Sequence, residues 1–403
     1  MTLDACTSPP LDISNLLEPT QTELARQGFV SALRKHVMVN LSLDMHKDYV
    51  TNVKPTCVAT HGPESVTPRD VKNAMEKRLL YRVWSSLRYN AQEMVWASVQ
   101  GVVERALPKM NELAKDAADT NPASGSLRLN PNLEIPKYVS ALDVHLMPGC
   151  YHTEYTDDDV AQGAVQFAGG DVFRGGFRHR KGNPGGVAES IANYLKLKHP
   201  DFKPKRILDM GCNTGKNLFP YLDVYPEAEA HGVDVGAPLL RFGHAMASHE
   251  NRAVHFSQQN AEGLDFKDDS FDIVTSSFFL HELPIKSIKA IFAEAYRVLR
   301  PGGLMVHMEL PPNSEVDPYY GFYLDWDTGP NNNEPFYAQF RNQDVLGLCE
   351  DVGFDAEQCI KLLIPNYGSF GLENFKDFVN EQRVAPKHGN GASWFIFGAW
   401  VQT

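Results

Sequence analysis

Apolar positions recur at helical spacing through the first third of the chain and in short, strand-like runs through the second half. Leu24, Phe29, Leu33 and Val37 fall roughly on one side of a helix over 21–39. A stretch broken by Pro55, Gly62-Pro63 and Pro68 follows, and Thr67 stands where an N-cap would open the next helix. Apolar residues then repeat at Val71, Met75, Leu79-Leu80, Val83-Trp84 and Leu87, and again from Met94 and Val95 to Met110 and Leu113. This pattern predicts an N-terminal helical domain of two or three long helices. Its aromatic face reads first as core packing, and second as a lid or dimer surface. Residues 119–132, rich in Asn, Pro, Ser and Gly, read as a linker or surface loop.

From residue 206 the pattern changes. Strand-like runs at 206–210, 228–233, 254–257, 271–276 and 303–310 alternate with helical material at 238–246 and 288–299. A helix over 343–352 and two runs at 357–364 and 393–401 follow, the latter fitting an antiparallel pair. Alternation of this kind predicts an α/β fold, a doubly wound, seven-stranded sheet. Between the two regions, residues 138–155 read as a strand up to Pro148, a Pro-Gly turn, and then a crowd of polar and aromatic groups, Tyr151, His152, Glu154 and Tyr155. Residues 169–186 are glycine-rich and basic, suiting a flexible lid whose arginines pair with a carboxylate.

The candidate chemistry centres on Asp209-Met210-Gly211-Cys212-Asn213-Thr214-Gly215-Lys216-Asn217, where a buried strand ends on an acid and the chain turns on two glycines. Glycines bring backbone close to a ligand, and the following helix start offers free N–H donors. The dinucleotide pattern G-x-G-x-x-G fails here, because Asn213 and Lys216 occupy two of its glycine positions. The acid-x-Gly-x-x-x-Gly pattern instead resembles motif I of the class I S-adenosylmethionine-dependent methyltransferases. Three further stretches are similar to that family in order: Asp234 after the second strand, Gln259-Asn260-Ala261-Glu262, and Phe271-Asp272-Ile273-Val274 running into Ser277-Phe278. Arg297-Val298-Leu299-Arg300-Pro301-Gly302-Gly303 resembles its usual approach to the fifth strand. The likeness is to the methyltransferase-type-11 branch, covers 206–310, extends plausibly to Thr403 and leaves the first 135 residues outside.

That resemblance implies a Rossmann-like domain over 186–403 binding S-adenosyl-L-methionine and releasing S-adenosyl-L-homocysteine. It assigns the amino-acid end of the cofactor to Asp209, Gly211, Asn213, Gly215 and Asn217, with Arg178 of the basic run as a carboxylate partner. Asp234 and Val235 take the ribose; Asn260, Ala261 and Glu262 the adenine, with Asn260 in place of the usual Asp; Ser277 and Phe278 complete the rim. The expected organisation is a helical region over 1–135, a connecting segment and lid over 136–185, and the cofactor domain with an aromatic insert at 311–341. The insert reads as part of an acceptor pocket, or a dimer contact, because long irregular loops are usually functional.

Methyl transfer needs a base only where the acceptor is protonated. His281, just past the fourth strand, is the first candidate and Glu282 the second; His152 and Tyr151 qualify if the connecting segment folds over the site. His307 reads as core, while Glu309 could face the acceptor. The reaction implied is methylation of a small apolar or aromatic metabolite. The alternatives are a protein or RNA methyltransferase, or a non-catalytic cofactor-binding assembly protein.

Composition narrows this. A formal net charge of −12 argues against a polyanionic partner, so no nucleic acid is expected despite the short basic run. No apolar run approaches the roughly eighteen residues of a membrane span. The leading residues resemble neither a signal nor a transit peptide. Six scattered cysteines without a C-x-x-C pair read as reduced thiols, and a cytoplasmic protein is expected, possibly a homodimer. His145, His152 and the nearby acids lack metal-ligand spacing, so no metal is expected.

Overall fold

The computed structural model describes residues 12–120, 125–173, 175, 186–389 and 391–403; Arg178 and most of the basic run lie outside the described residues. Eight strands form one sheet: β1 (Gly125–Arg128), β2 (Arg206–Met210), β3 (Glu229–Asp234), β4 (Val254–Gln258), β5 (Phe271–Ser277), β6 (Leu299–Glu309), β7 (Cys359–Pro365) and β8 (Ser393–Trp400). Their order is β1-β4-β3-β2-β5-β6-β8-β7, with β8 antiparallel to both its neighbours and every other pairing parallel. The order reverses at β2, where β3 lies on one side and β5 on the other. Ligand crevices form at such a switch point, above the carboxyl ends of the strands.

The sheet exceeds the expected seven strands by one. β1 lies in the stretch read as a linker, and its short, polar sequence gave no strand signal. Gly125 makes the pairing possible: its φ is +94°, and a Cβ there would fall 1.9 Å from the Val254 carbonyl oxygen. The strand expected before Pro148 is absent. Residues Lys137–Ser140 form a helical turn and Val144–Leu146 a 3-10 turn instead. The Arg300-Pro301-Gly302-Gly303 turn is absorbed into β6 as an irregularity: Phe271 pairs with Leu299 and Ile273 with Leu304.

Successive residues of β2 alternate between two cores. Ile207 belongs to the core that takes in Val95, Trp96 and Val99 of one helix; Leu208 belongs to the core that takes in Ile288 and Phe292 of another. That first helix, Leu79–Thr120, is 42 residues long and packs on the helices Ala161–Phe173 and Ala237–His249, the second of which lies against β1, β3 and β4. The helical region therefore shares a core with the sheet. Thr67 caps the preceding helix, Pro68–Met75, in a capping box with Asp70.

The aromatic insert is mostly the helix Pro318–Asn332. Tyr319 and Phe322 are buried against Val37, Met45, Tyr49, Met75 and Trp84, so these rings complete the helical region's core rather than an acceptor pocket. Two buried ion pairs hold it: Arg88 Nε to Asp327 Oδ1 at 2.6 Å, and Arg341 Nη1 to Asp325 Oδ1 at 2.5 Å.

Candidate active site

A cavity of about 610 Å³ opens above the switch point. One end is the turn after β2. Gly211, Asn213 and Gly215 all have positive φ, at 69°, 54° and 72°. Side chains pack so close that a Cβ on Gly211 would lie 2.3 Å from the Phe279 ring, and one on Gly215 2.5 Å from Phe256. Asn213 tolerates the left-handed conformation because its Oδ1 accepts from Thr214 N–H at 2.8 Å. Asp234, at the end of β3, ties the two loops together: Oδ2 accepts from Asn213 N–H and Oδ1 from Gly236 N–H, both at 2.9 Å. Burial raises its pKa, opposed by these backbone donors. Among the described residues neither oxygen of the buried Asp209 carboxylate has a hydrogen-bond partner, and burial, then Asp234, push it up to about 8.

The other end is a cluster of ionisable groups. Tyr151 donates to Glu282 Oε1 at 3.1 Å and lies 2.9 Å from His145 Nδ1. His145 Nε2 lies 3.0 Å from Glu334 Oε1 and 3.3 Å from Glu282 Oε1. His281 Nδ1 pairs with Glu309 Oε2 at 2.5 Å, and its Nε2 is 3.4 Å from Glu334 Oε2. Glu309 in turn accepts from the Phe279 and Leu280 N–H groups, fixing the turn after β5. Burial alone would lower His281, but Glu309, then Glu334 and Glu282, raise it to about 9. Glu282 is raised as well: burial, with Glu334 adding to it, pushes it to about 7 against the pull of His145 and His281. Burial also raises Tyr151 well above the usual phenol range.

Of the sequence candidates, Tyr151, His281 and Glu282 meet in this cavity. His152 does not line it, and burial lowers its pKa. Gly211, Asn213, Asn217, Asp234 and Val235 line the opposite end, and Ser277 and Phe278 the rim between. Asp209 and Gly215 support that turn from behind. Asn260, Ala261 and Glu262 are not among the lining residues. The Asn260 carboxamide oxygen accepts from Glu262 N–H at 3.0 Å, and Glu262 accepts from Tyr138 at 2.6 Å. His307 is core, stacked on Phe292 at 5.0 Å. Glu309 is fully buried beneath His281 rather than facing the cavity.

Sequence reading missed His145 as a member of the site, and missed Glu334 altogether. His145 lay inside the stretch read as a strand. Glu334 follows Asn333, whose left-handed φ of 58° caps the insert helix and turns the chain back over the cavity. The run Asn331-Asn332-Asn333 was the available signal for that stop.

The turn, the acid after β3 and the sheet order are what the resemblance to the class I methyltransferases implies. Residues 207–303 match the family model described as a methyltransferase domain. The chain is 36% identical over 109 residues to the demethylmenaquinone methyltransferase of Thermus thermophilus, covering 27% of this chain and 49% of that protein. It is 35% identical over 170 residues to the ubiquinone/menaquinone biosynthesis C-methyltransferase UbiE of Vibrio parahaemolyticus, covering 38% and 64%. The chain thus spans about half the length of the curated relatives first matched. Among solved structures, Haemonchus contortus phosphoethanolamine N-methyltransferase 2 with S-adenosyl-L-methionine aligns over 55% of this chain and 54% of that one, at 18% identity and a TM-score of 0.35. Residues 207–303 therefore carry a methyltransferase domain.

Proposed function

We propose that the chain is an S-adenosyl-L-methionine-dependent methyltransferase acting on a small, largely apolar or aromatic acceptor. The observation that carries this reading is one cavity bounded by the glycine turn and Asp234 at one end and by Glu282, Tyr151 and Glu334 at the other. The donor set suits the cofactor. The Asn213 and Asn217 amides offer hydrogen bonds to an amino-acid carboxylate, and the Asp234 oxygens each keep a lone pair for a ribose hydroxyl. No lining group forms a pyrophosphate cradle of the dinucleotide type.

The bound cofactor supplies an already activated methyl group. The protein's own task is alignment and exclusion of water, effects that can supply roughly 7–11 kcal/mol. Phe167, Val139, Leu283, Phe278 and Leu310 give the cavity its apolar walls, supporting an apolar or aromatic acceptor. Relatives named for quinone biosynthesis agree with that class. Glu282, rather than His281, is the proton acceptor in this reading. An imidazole raised to about 9 is protonated at neutral pH, whereas a carboxyl near 7 exchanges its proton there. His281 then serves as the cation that holds Glu309 and Glu334. Among the described residues no helix is long and apolar enough to cross a membrane, which fits the cytoplasmic location proposed here.

The test is incubation with cofactor carrying a labelled methyl group and a metabolite extract, followed by mass analysis. Label in a small molecule supports the reading. Label in protein or RNA alone, or none anywhere despite cofactor binding, overturns it.

A further inference from the structure

The ionisable cluster includes two side chains that neither the cofactor domain nor the insert supplies, Tyr151 and His145. His145 sits on the connecting segment with φ of +59°, followed by Leu146 at +56°. Two consecutive non-glycine residues in the left-handed region carry a cost of order 1–3 kcal/mol each. Something must hold them there, and the long helix does. The His145 carbonyl accepts from Trp96 Nε1 at 2.7 Å and from Gln92 Nε2 at 3.1 Å. Gln92 is itself fixed by Arg34 at 2.6 Å and Arg88 at 3.0 Å, and Arg88 is the partner of Asp327. From the other side, Asn333 Nδ2 donates to the Asp143 carbonyl at 2.8 Å. The strained turn is therefore clamped by the helical region and by the end of the insert helix.

The clamp aims the imidazole into the cluster with both ring nitrogens engaged. Tyr151 gives its hydroxyl proton to Glu282, so its oxygen is free to accept from His145 Nδ1–H. Nε2 faces only carboxylates, Glu334 and Glu282, so it carries a proton too. A ring with both N–H groups donated is an imidazolium. The groups facing Glu282 are this cation, the Tyr151 hydroxyl, the Glu334 carboxylate, the His281 imidazole paired with Glu309, and the Cys150 thiol.

We propose that His145 is a positioning residue of the transfer site, placed by the N-terminal helical region to hold Glu282 in its proton-accepting form through the Tyr151 hydroxyl and direct ion pairing. This rests on the function proposed above and extends it to the first third of the chain. The helical region is then neither a separate docking module nor inert packing, because it fixes the backbone that delivers the cation.

The test follows the Glu282 carboxyl by carbon NMR of the ligand-free chain labelled at the glutamate carboxyl carbon, with Glu282→Gln identifying the resonance. His145→Asn removes the charge and keeps a residue that tolerates left-handed backbone. Its Glu282 midpoint is expected to rise by roughly one pH unit or more, the usual effect of losing an opposite charge at this range. Trp96→Phe removes the shorter anchor to the carbonyl, together with part of the ring packed on Gly169 and Phe173, and is expected to raise the midpoint less. A midpoint in His145→Asn that stays put or falls overturns the proposal. Should that variant fail to fold, an unshifted midpoint in folded Trp96→Phe does the same. Because the titration is read without cofactor, a chain that binds no S-adenosylmethionine would defeat the proposed function while leaving this measurement interpretable.

Discussion

The two ends of the cavity are built in opposite ways. The turn after β2 and the loop after β3 use contiguous residues and mostly backbone: three positive-φ positions and one carboxylate accepting two N–H groups. The ionisable end gathers side chains from four distant segments, His145 and Tyr151, His281 and Glu282, Glu309, and Glu334. A backbone cradle leaves a spacing signature, since glycine and acid must stand at fixed offsets. A cluster made by tertiary packing leaves none. The first end suits a constant cofactor, and the second can be recast for a particular acceptor.

Four changes separate the two ends, beginning with the largest effect. Glu282→Gln removes the only acidic group of the cavity placed to exchange a proton near neutrality. Methyl transfer to a protonated acceptor should fall by about 10²–10⁴-fold with cofactor affinity unchanged, read by single-turnover kinetics and calorimetry. In the unmodified chain the same rate should be lost as pH falls through about 7, because Glu282 then gains its proton and cannot accept another. A pH-independent rate between 6 and 8 would remove Glu282 from that role.

Arg88→Met strands the buried Asp327 carboxylate and loosens Gln92, so unfolding in urea should show about 3–5 kcal/mol of lost stability. Cofactor affinity of the folded fraction should hardly move, since the turn after β2 shares no hydrogen bond with that pair. Asp234→Ala acts on the other end: it should weaken cofactor binding by over tenfold, about 1.4 kcal/mol or more, in a calorimetric titration. Equal affinity would separate the acid from the ribose. Thr67→Ala is the mildest. It removes a capping box far from the cavity and should cost about 1 kcal/mol of stability in the same urea series with transfer rates intact.

The same contrast governs what was legible in advance. The doubly wound sheet followed from buried runs such as Ile207-Leu208 and Val274, whose neighbours alternate between two cores. The backbone-built end, which we propose holds the cofactor, was visible in Asp209, Gly211, Gly215 and Asp234 at fixed offsets. β1 was hidden because an edge strand of four residues carries too little apolar pattern, and its key requirement, space at Gly125, is set by Val254 more than a hundred residues away. The insert's aromatics divide in a way composition alone does not show: Tyr319 and Phe322 meet the helical region, while Tyr337 lines the cavity with Thr328 and Glu334. His281 was singled out by position, and its pairing with Glu309 and Glu334, which raises its pKa against the effect of burial, is a tertiary fact. His145 and Glu334 become neighbours only after the long helix and the insert helix have both docked.

Determination of the crystal structure with S-adenosyl-L-homocysteine bound tests the central claim most directly. The account predicts density for the nucleoside beside Asp234, the amino-acid tail at the Asn213 turn, and the sulfur directed toward the Glu282 end of the same cavity. A ligand bound elsewhere, or one whose sulfur points away from Glu282, would contradict it.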